Sequence, residues 1–144
     1  MGALGVKGSG GGTPMKNAKE KFIELELKIE KTIPMKSKLD VLKGNRATTS
    51  LIKIFKYFEE NREEAEQILI ELLEHENCFV HTGAAARCLA LGMLTSRALE
   101  VLEEVAQNPT KRTRFEAEGV LKVYGQQGYL RIYQGQKIYK SEES

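Results

Sequence analysis

The chain has 144 residues, of which 41% are apolar and 29% charged, and a formal net charge of +2. That length and balance fit one folded domain with a real core and exclude a disordered chain. A charge so near zero argues against wholesale neutralisation of nucleic-acid phosphate, and no apolar run reaches the ~18 residues of a membrane span.

No basic, apolar, then small-residue start marks a secretory signal, so the two cysteines read as reduced thiols in a cytoplasm. Residues 1–14, "MGALGVKGSGGGTP", hold six of the thirteen glycines and read as a flexible leader or appended linker. Val6 stands where a myristoylation signal needs Ser or Thr, and no Gly-Lys-Ser/Thr run offers a phosphate loop. The folded domain is expected over residues 15–144.

From there the periodicity is helical. Phe22, Leu25 and Ile29 set one apolar face of a helix from Met15 to Lys31, which Pro34 stops. A short helix over Ser37 to Leu42 is expected to end at Gly44 as a C-cap. Thr48 to Phe58 forms the next helix, and Asn61 with Glu64 reads as a capping box for another that runs to His75. Further helices are expected from Val80 to Leu91, closed by Gly92, and from Thr95 or Ser96 to Asn108-Pro109. Thr110 caps a last one to Tyr124, closed by Gly125. The end, "YLRIYQGQKIY", reads as a short irregular or hairpin tail.

These helices repeat at 33 residues. Ala65, Ile68, Leu69, Leu72 and Leu73 fall on Ala98, Val101, Leu102, Val105 and Ala106. Leu51, Phe55 and Phe58 fall on Ala84, Cys88 and Leu91, then on Ala117, Leu121 and Tyr124. A two-helix repeat of that length predicts an all-α protein, an α-solenoid of HEAT/ARM-like antiparallel helix pairs in a right-handed stack. Leu51, Phe55, Ile68, Leu72, Cys88, Leu91, Leu102, Val105 and Leu121 are its expected core.

The stretch "HENCFVHTGAAARC" carries every His and Cys of the chain, His75, Cys78, His81 and Cys88. Cys88 occupies the repeat position of Phe55 and Leu121, so it reads as a small core residue. His81 lies seven residues earlier, roughly 10 Å along a helix axis, at the limit of what one zinc ion bonded at ~2.0–2.3 Å could join. The spacing matches no finger or ribbon, and the alanines between allow close helix packing. No metal, cofactor or catalytic group is expected here.

"GNRATTSLIKIFKYFEE", "AARCLALGM", "ALEVLEEVAQN" and "FEAEGVLKVYGQQGYL" resemble a family of small bacterial proteins with HEAT-like helices. That family is catalogued as domain of unknown function number two-thousand-and-nineteen. The likeness runs from about Lys43 to Tyr133, and its most specific piece is Phe115 to Glu118 followed by Leu121-Lys122. The resemblance implies an all-α fold, a bacterial cytoplasm and no known catalytic activity. Because relatives sit beside genes for secreted polymorphic toxins, it also implies an immunity role.

Charge supplies the one internal functional signal. Glu59 to Glu76 holds eight glutamates and one arginine, a balance of −7, whereas Met15 to Arg46 carries +4 and Lys111 to Ser144 carries +3. The acids, Glu59, Glu60, Glu63, Glu64, Glu66, Glu71 and Glu74, either keep a helix solvated or steer a basic protein such as a nucleic-acid-cleaving toxin domain. Glu118, close to the face of Ala117 and Leu121, reads as a buried carboxylate. Three functions follow: a protein-binding solenoid that neutralises a toxin, a scaffold with an endogenous protein partner, and nucleic-acid binding. The last would use "KNAKEK", "MKSK" and "KRTR", with Arg46, Lys111, Arg112 and Arg114 on phosphate. No aromatics are interleaved with those cations to stack bases, which counts against it.

Overall fold

The computed structural model describes residues 17–143, so the glycine-rich leader lies outside the described residues. Among these residues the protein is all-α, with six helices and no strand. They are α1 (Ala18–Thr32), α2 (Lys38–Glu60), α3 (Arg62–Leu73), α4 (Cys78–Leu91), α5 (Thr95–Ala106) and α6 (Arg114–Gln127). The chain divides into two compact units, one ending at Ile68 and the other beginning at Leu69.

In the first unit α1 packs along α2. Ala18, Phe22 and Glu26 are buried on α1, while Leu25 and Ile29 are only half-buried, so the inward stripe is rotated from the expected one. The turn passes through a cis Ile33–Pro34 bond to Ser37, whose Oγ accepts the Asp40 backbone N–H at 3.1 Å. The Asp40 carboxylate in turn accepts the Lys36 N–H at 3.2 Å, and together they cap α2.

α2 then continues unbroken to Glu60, where the sequence predicts two helices separated at Gly44. Gly44 is buried inside α2, and a Cβ there would lie 3.1 Å from the Met35 Cε and 3.4 Å from the Thr32 Oγ1. It is a point of close approach between the helix and the preceding turn, and no C-cap. Leu51, Ile54, Phe55 and Phe58 form the buried stripe of the second half of α2.

In the second unit α4 packs on α5, α5 on α6, and α4 also meets α6. α4 is buried on nearly every side from Phe79 to Leu91, which the run Gly83-Ala84-Ala85-Ala86 permits by keeping neighbouring backbones close. Asn77 caps it, its side chain accepting from the Phe79 and Val80 N–H groups at 2.8 and 3.2 Å. Gly92 closes it at φ 76, as expected. α5 buries Ala98, Val101, Leu102 and Val105, an i, i+3, i+4, i+7 stripe. α6 starts at Arg114 rather than after Thr110 and runs through Gly125 to a left-handed Gly128, one turn beyond the expected stop.

The tail after Gly128 is irregular and tied down by side chains. Gln136 is buried, donating from Nε2 to the carbonyls of Ala90, Leu130 and Lys137 and accepting the Ile132 N–H. Farther on, the Glu142 N–H donates to the Gly92 carbonyl at 2.7 Å. The Glu143 carboxylate accepts from the Ser96 N–H and hydroxyl, supplying the N-terminus of α5 with an anionic cap.

Of the nine expected core residues, Leu51, Phe55, Leu72, Cys88, Leu91, Leu102 and Val105 are buried, whereas Ile68 and Leu121 are half-buried. Ala117 is the one fully enclosed residue of α6. Glu118 is exposed, contrary to expectation, because the buried side of α6 turns on Ala117 alone.

Candidate functional site

The acidic stretch begins where α2 ends. Asn61 breaks the helix with φ −136 and ψ 64, and its Nδ2 donates back to the Tyr57 carbonyl at 2.9 Å. Glu64 is engaged by the Tyr57 hydroxyl, so Asn61 and Glu64 both bond toward α2 and no capping box forms. The corner instead places Glu59, Glu60, Glu63 and Glu64 around one depression of about 460 Å³, with Asn61 and Arg62 between them. Glu60, Glu63 and Glu66 are exposed and, among the described residues, make no hydrogen bond or ion pair.

Helix electrostatics separate these acids. Glu63 and Glu64 sit in the first turn of α3, where the helix dipole favours a negative charge. Glu59 and Glu60 sit in the last turn of α2, which has no basic residue and where the same dipole disfavours them. Glu71 and Glu74 belong to the second unit, and Glu74 is held there by Arg97 at 2.8 Å, which also meets Glu100 at 3.3 Å. The seven glutamates thus do not act as one set: the corner gathers Glu59, Glu60, Glu63 and Glu64, with Glu66 exposed farther along α3.

The His/Cys stretch has a different architecture. Cys88 is fully buried in α4, and Cys78 is half-buried at the start of that helix. His81, 7% exposed, faces the His75 carbonyl with Nδ1 at 2.7 Å and the Lys111 ammonium with Nε2 at 3.2 Å. A carbonyl can only accept and an ammonium only donate, so the ring is neutral with its proton on Nδ1. Burial lowers its pKa, the bond to His75 opposes this, and the Lys111 charge lowers it further. Its one lone pair points at the Lys111 ammonium. Beside it the buried hydroxyls of Thr82 and Thr113 meet at 2.9 Å, and Thr113 donates to the Cys78 carbonyl at 3.4 Å.

The same packing absorbs the run "KRTR". Lys111 turns to His81, Thr113 is buried, the Arg112 guanidinium lies 5.3 Å from the Phe79 ring centre, and Arg114 stacks on the exposed Phe115 at 4.5 Å. Glu116 is exposed as a residue, yet crowding around its carboxyl raises its pKa against the pull of the nearby Arg87.

A second concavity lies between α1 and α2 in the first unit, with a volume of about 410 Å³. Arg46 lines it, together with Lys28, Lys31 and Lys43. Periodicity did not single out this grouping, because the cations come in i, i+3 pairs from two helices separated by a proline turn. Comparison of the chain with family models, with characterised proteins and with solved structures gives no match. Function therefore rests on these sites.

Proposed function

We propose that this chain is a protein-binding helical-repeat module that engages a basic partner through the acidic corner between α2 and α3. The observation that carries this reading is the group of exposed carboxylates Glu60, Glu63 and Glu66, unpaired among the described residues and set beside the depression that Glu59 and Glu64 also line. Unpaired like charges cost stability where they stand and recover it against an opposite surface. We read the corner as a binding surface: its four carboxylates, Glu59, Glu60, Glu63 and Glu64, offer a basic partner a cluster of negative charge.

Two finer readings belong to the same proposal. The helix pairs stack as a HEAT-like solenoid, supported by burial that repeats in step at Leu51, Ala84 and Ala117, and at Leu69 and Leu102. The partner is a bacterial toxin domain that the chain neutralises by covering its active surface in the cytoplasm. The resemblance carried by Phe115 to Glu118 and Leu121-Lys122 supports that choice over a scaffold with an endogenous partner.

Co-expression with any toxin domain that a gene neighbouring this one encodes tests the assignment directly. Rescue of growth, with a complex recovered by pull-down, is the expected result. Undiminished toxicity and no complex would sink the toxin-neutralising reading in favour of the scaffold.

A further inference from the structure

The cleft between α1 and α2 is lined by four cations against a single carboxylate. Lys28 and Lys31 come from α1, Lys43 and Arg46 from α2, each pair three residues apart and so on one face of its helix. Facing helices ordinarily set opposite charges across such a seam, yet here the cations oppose one another. Lys31, Lys43 and Arg46 form no ion pair or hydrogen bond among the described residues. Lys28 pairs with Glu24 at 3.5 Å, but both side chains are more than half exposed, at 59% and 63%, so the pair is weak and easily exchanged. Asp40, the one acid in the lining, is committed to the Lys36 N–H at the start of α2.

Leu25 and Ala47 give the cleft an apolar wall, and Ser50 adds a hydroxyl with no partner among the described residues. The Thr32 hydroxyl already donates to the Ile29 carbonyl at 2.7 Å, so it has no proton to offer a ligand. A volume of about 410 Å³ falls within the ~300–1,000 Å³ of small-ligand sites. Several ammonium donors, a guanidinium fork and a free hydroxyl around such a space suit a multiply charged tetrahedral oxyanion. A monocarboxylate would leave most of them unsatisfied.

We propose that this cleft binds a phosphate-bearing ligand, with Lys31, Lys43 and Arg46 as its principal contacts. The site is independent of the acidic corner and adds an activity to it. The phosphate has two sources. One is a soluble polyphosphate or phosphorylated metabolite. The other is an anionic lipid head group, which the neighbouring chain favours: Ile33, Met35, Leu39, Val41 and Leu42 are all exposed, by 41% to 56%, in the turn and first turns of α2. A lipid head group in the cleft would lay those side chains against the acyl boundary.

The full chain is titrated with inorganic pyrophosphate by calorimetry, and in parallel sedimented with vesicles of phosphatidylcholine with and without phosphatidic acid. The proposal expects binding in at least one arm, and the arm in which it occurs assigns the source. It further expects Lys43→Glu with Arg46→Glu to weaken that binding by about tenfold or more, since each loses a charge-assisted contact and adds a repulsion. Lys122→Glu with Lys137→Glu makes the same change in net charge outside the cleft and should alter binding by less than about twofold. If the reversed pair impairs folding, Arg46→Gln, which removes one exposed charge, reports the same loss in smaller measure. Absence of binding in both arms, or equal losses in the cleft and control variants, overturns the proposal.

Discussion

Gly44 lies inside α2 on ordinary helical backbone, with the half-exposed methyl of Met35 as its nearest obstacle. Alanine is favoured over glycine by about 0.8–1.0 kcal/mol within a helix, and a flexible thioether end can yield a few tenths of an ångström. Gly44→Ala should therefore stabilise the protein, by about 0.5–1 kcal/mol in urea unfolding. A loss of stability would show that Met35 is fixed. Gly92 is the contrasting case: at φ 76 a Cβ would lie 2.3 Å from the Lys140 carbonyl oxygen, so Gly92→Ala must dislodge the tail.

His81 carries the pH dependence at the same scale. Its folded pKa lies below the ordinary 6.5, first through burial. The unfolded chain thus binds the extra proton more readily, and stability rises with pH across this window. The His81 contribution should be complete above about pH 6.5 and be lost as pH falls toward the lowered folded value. Thermal melts between neutral and mildly acidic pH check this, with His81→Gln expected to flatten the slope. An unchanged slope in the variant would assign the dependence to a group other than His81, and not to Glu116, whose raised pKa makes stability fall as pH rises.

At the scale of elements, α4 and the tail are tied to each other by side-chain and backbone hydrogen bonds. α4 offers the tail its Ala90 carbonyl, and Gln136 reaches it while also holding Leu130, Ile132 and Lys137. Removing that side chain strands several buried backbone groups, each at about 1–3 kcal/mol when left unsatisfied. Gln136→Ala should lower stability by at least that much and expose residues 129–143 to limited proteolysis. A variant that resists protease as the parent does would mean the tail is held by Leu130 and the Ser96–Glu143 contact instead.

For the whole chain, a net charge of +2 conceals strong segregation. Within the first unit the basic cleft draws on the first half of α2 and the acidic corner on its last turn, about 20 Å away at 1.5 Å of rise per residue. That separation exceeds a Debye length of about 8–10 Å, so the two patches act as separate fields. Replacing Glu60, Glu63 and Glu66 with lysine should lower the association rate of a basic partner more than it raises the dissociation rate, and the effect should fade as salt rises. Stopped-flow binding at two ionic strengths measures both. Association that is salt-independent in the parent would make the acidic corner a solvated face only.

The sequence by itself determined the all-α class, most of the helices, the αL close of α4 at Gly92 and seven of the nine chosen core positions, because 3.6-residue periodicity and glycine stop signals are local properties. Its acidic run was legible too, though not its division into a gathered corner and a Glu74 paired with Arg97. Tertiary contacts decided the rest. Gly44 reads as a stop until Met35 and Thr32 pack against it, and Gly125 reads as a stop until α6 continues past it. Lys111 reads as a phosphate contact until His81 takes it up, while the cleft cations look scattered until α1 and α2 bring them together. In each case the deciding partner is distant in sequence or on another helix, where periodicity has no reach.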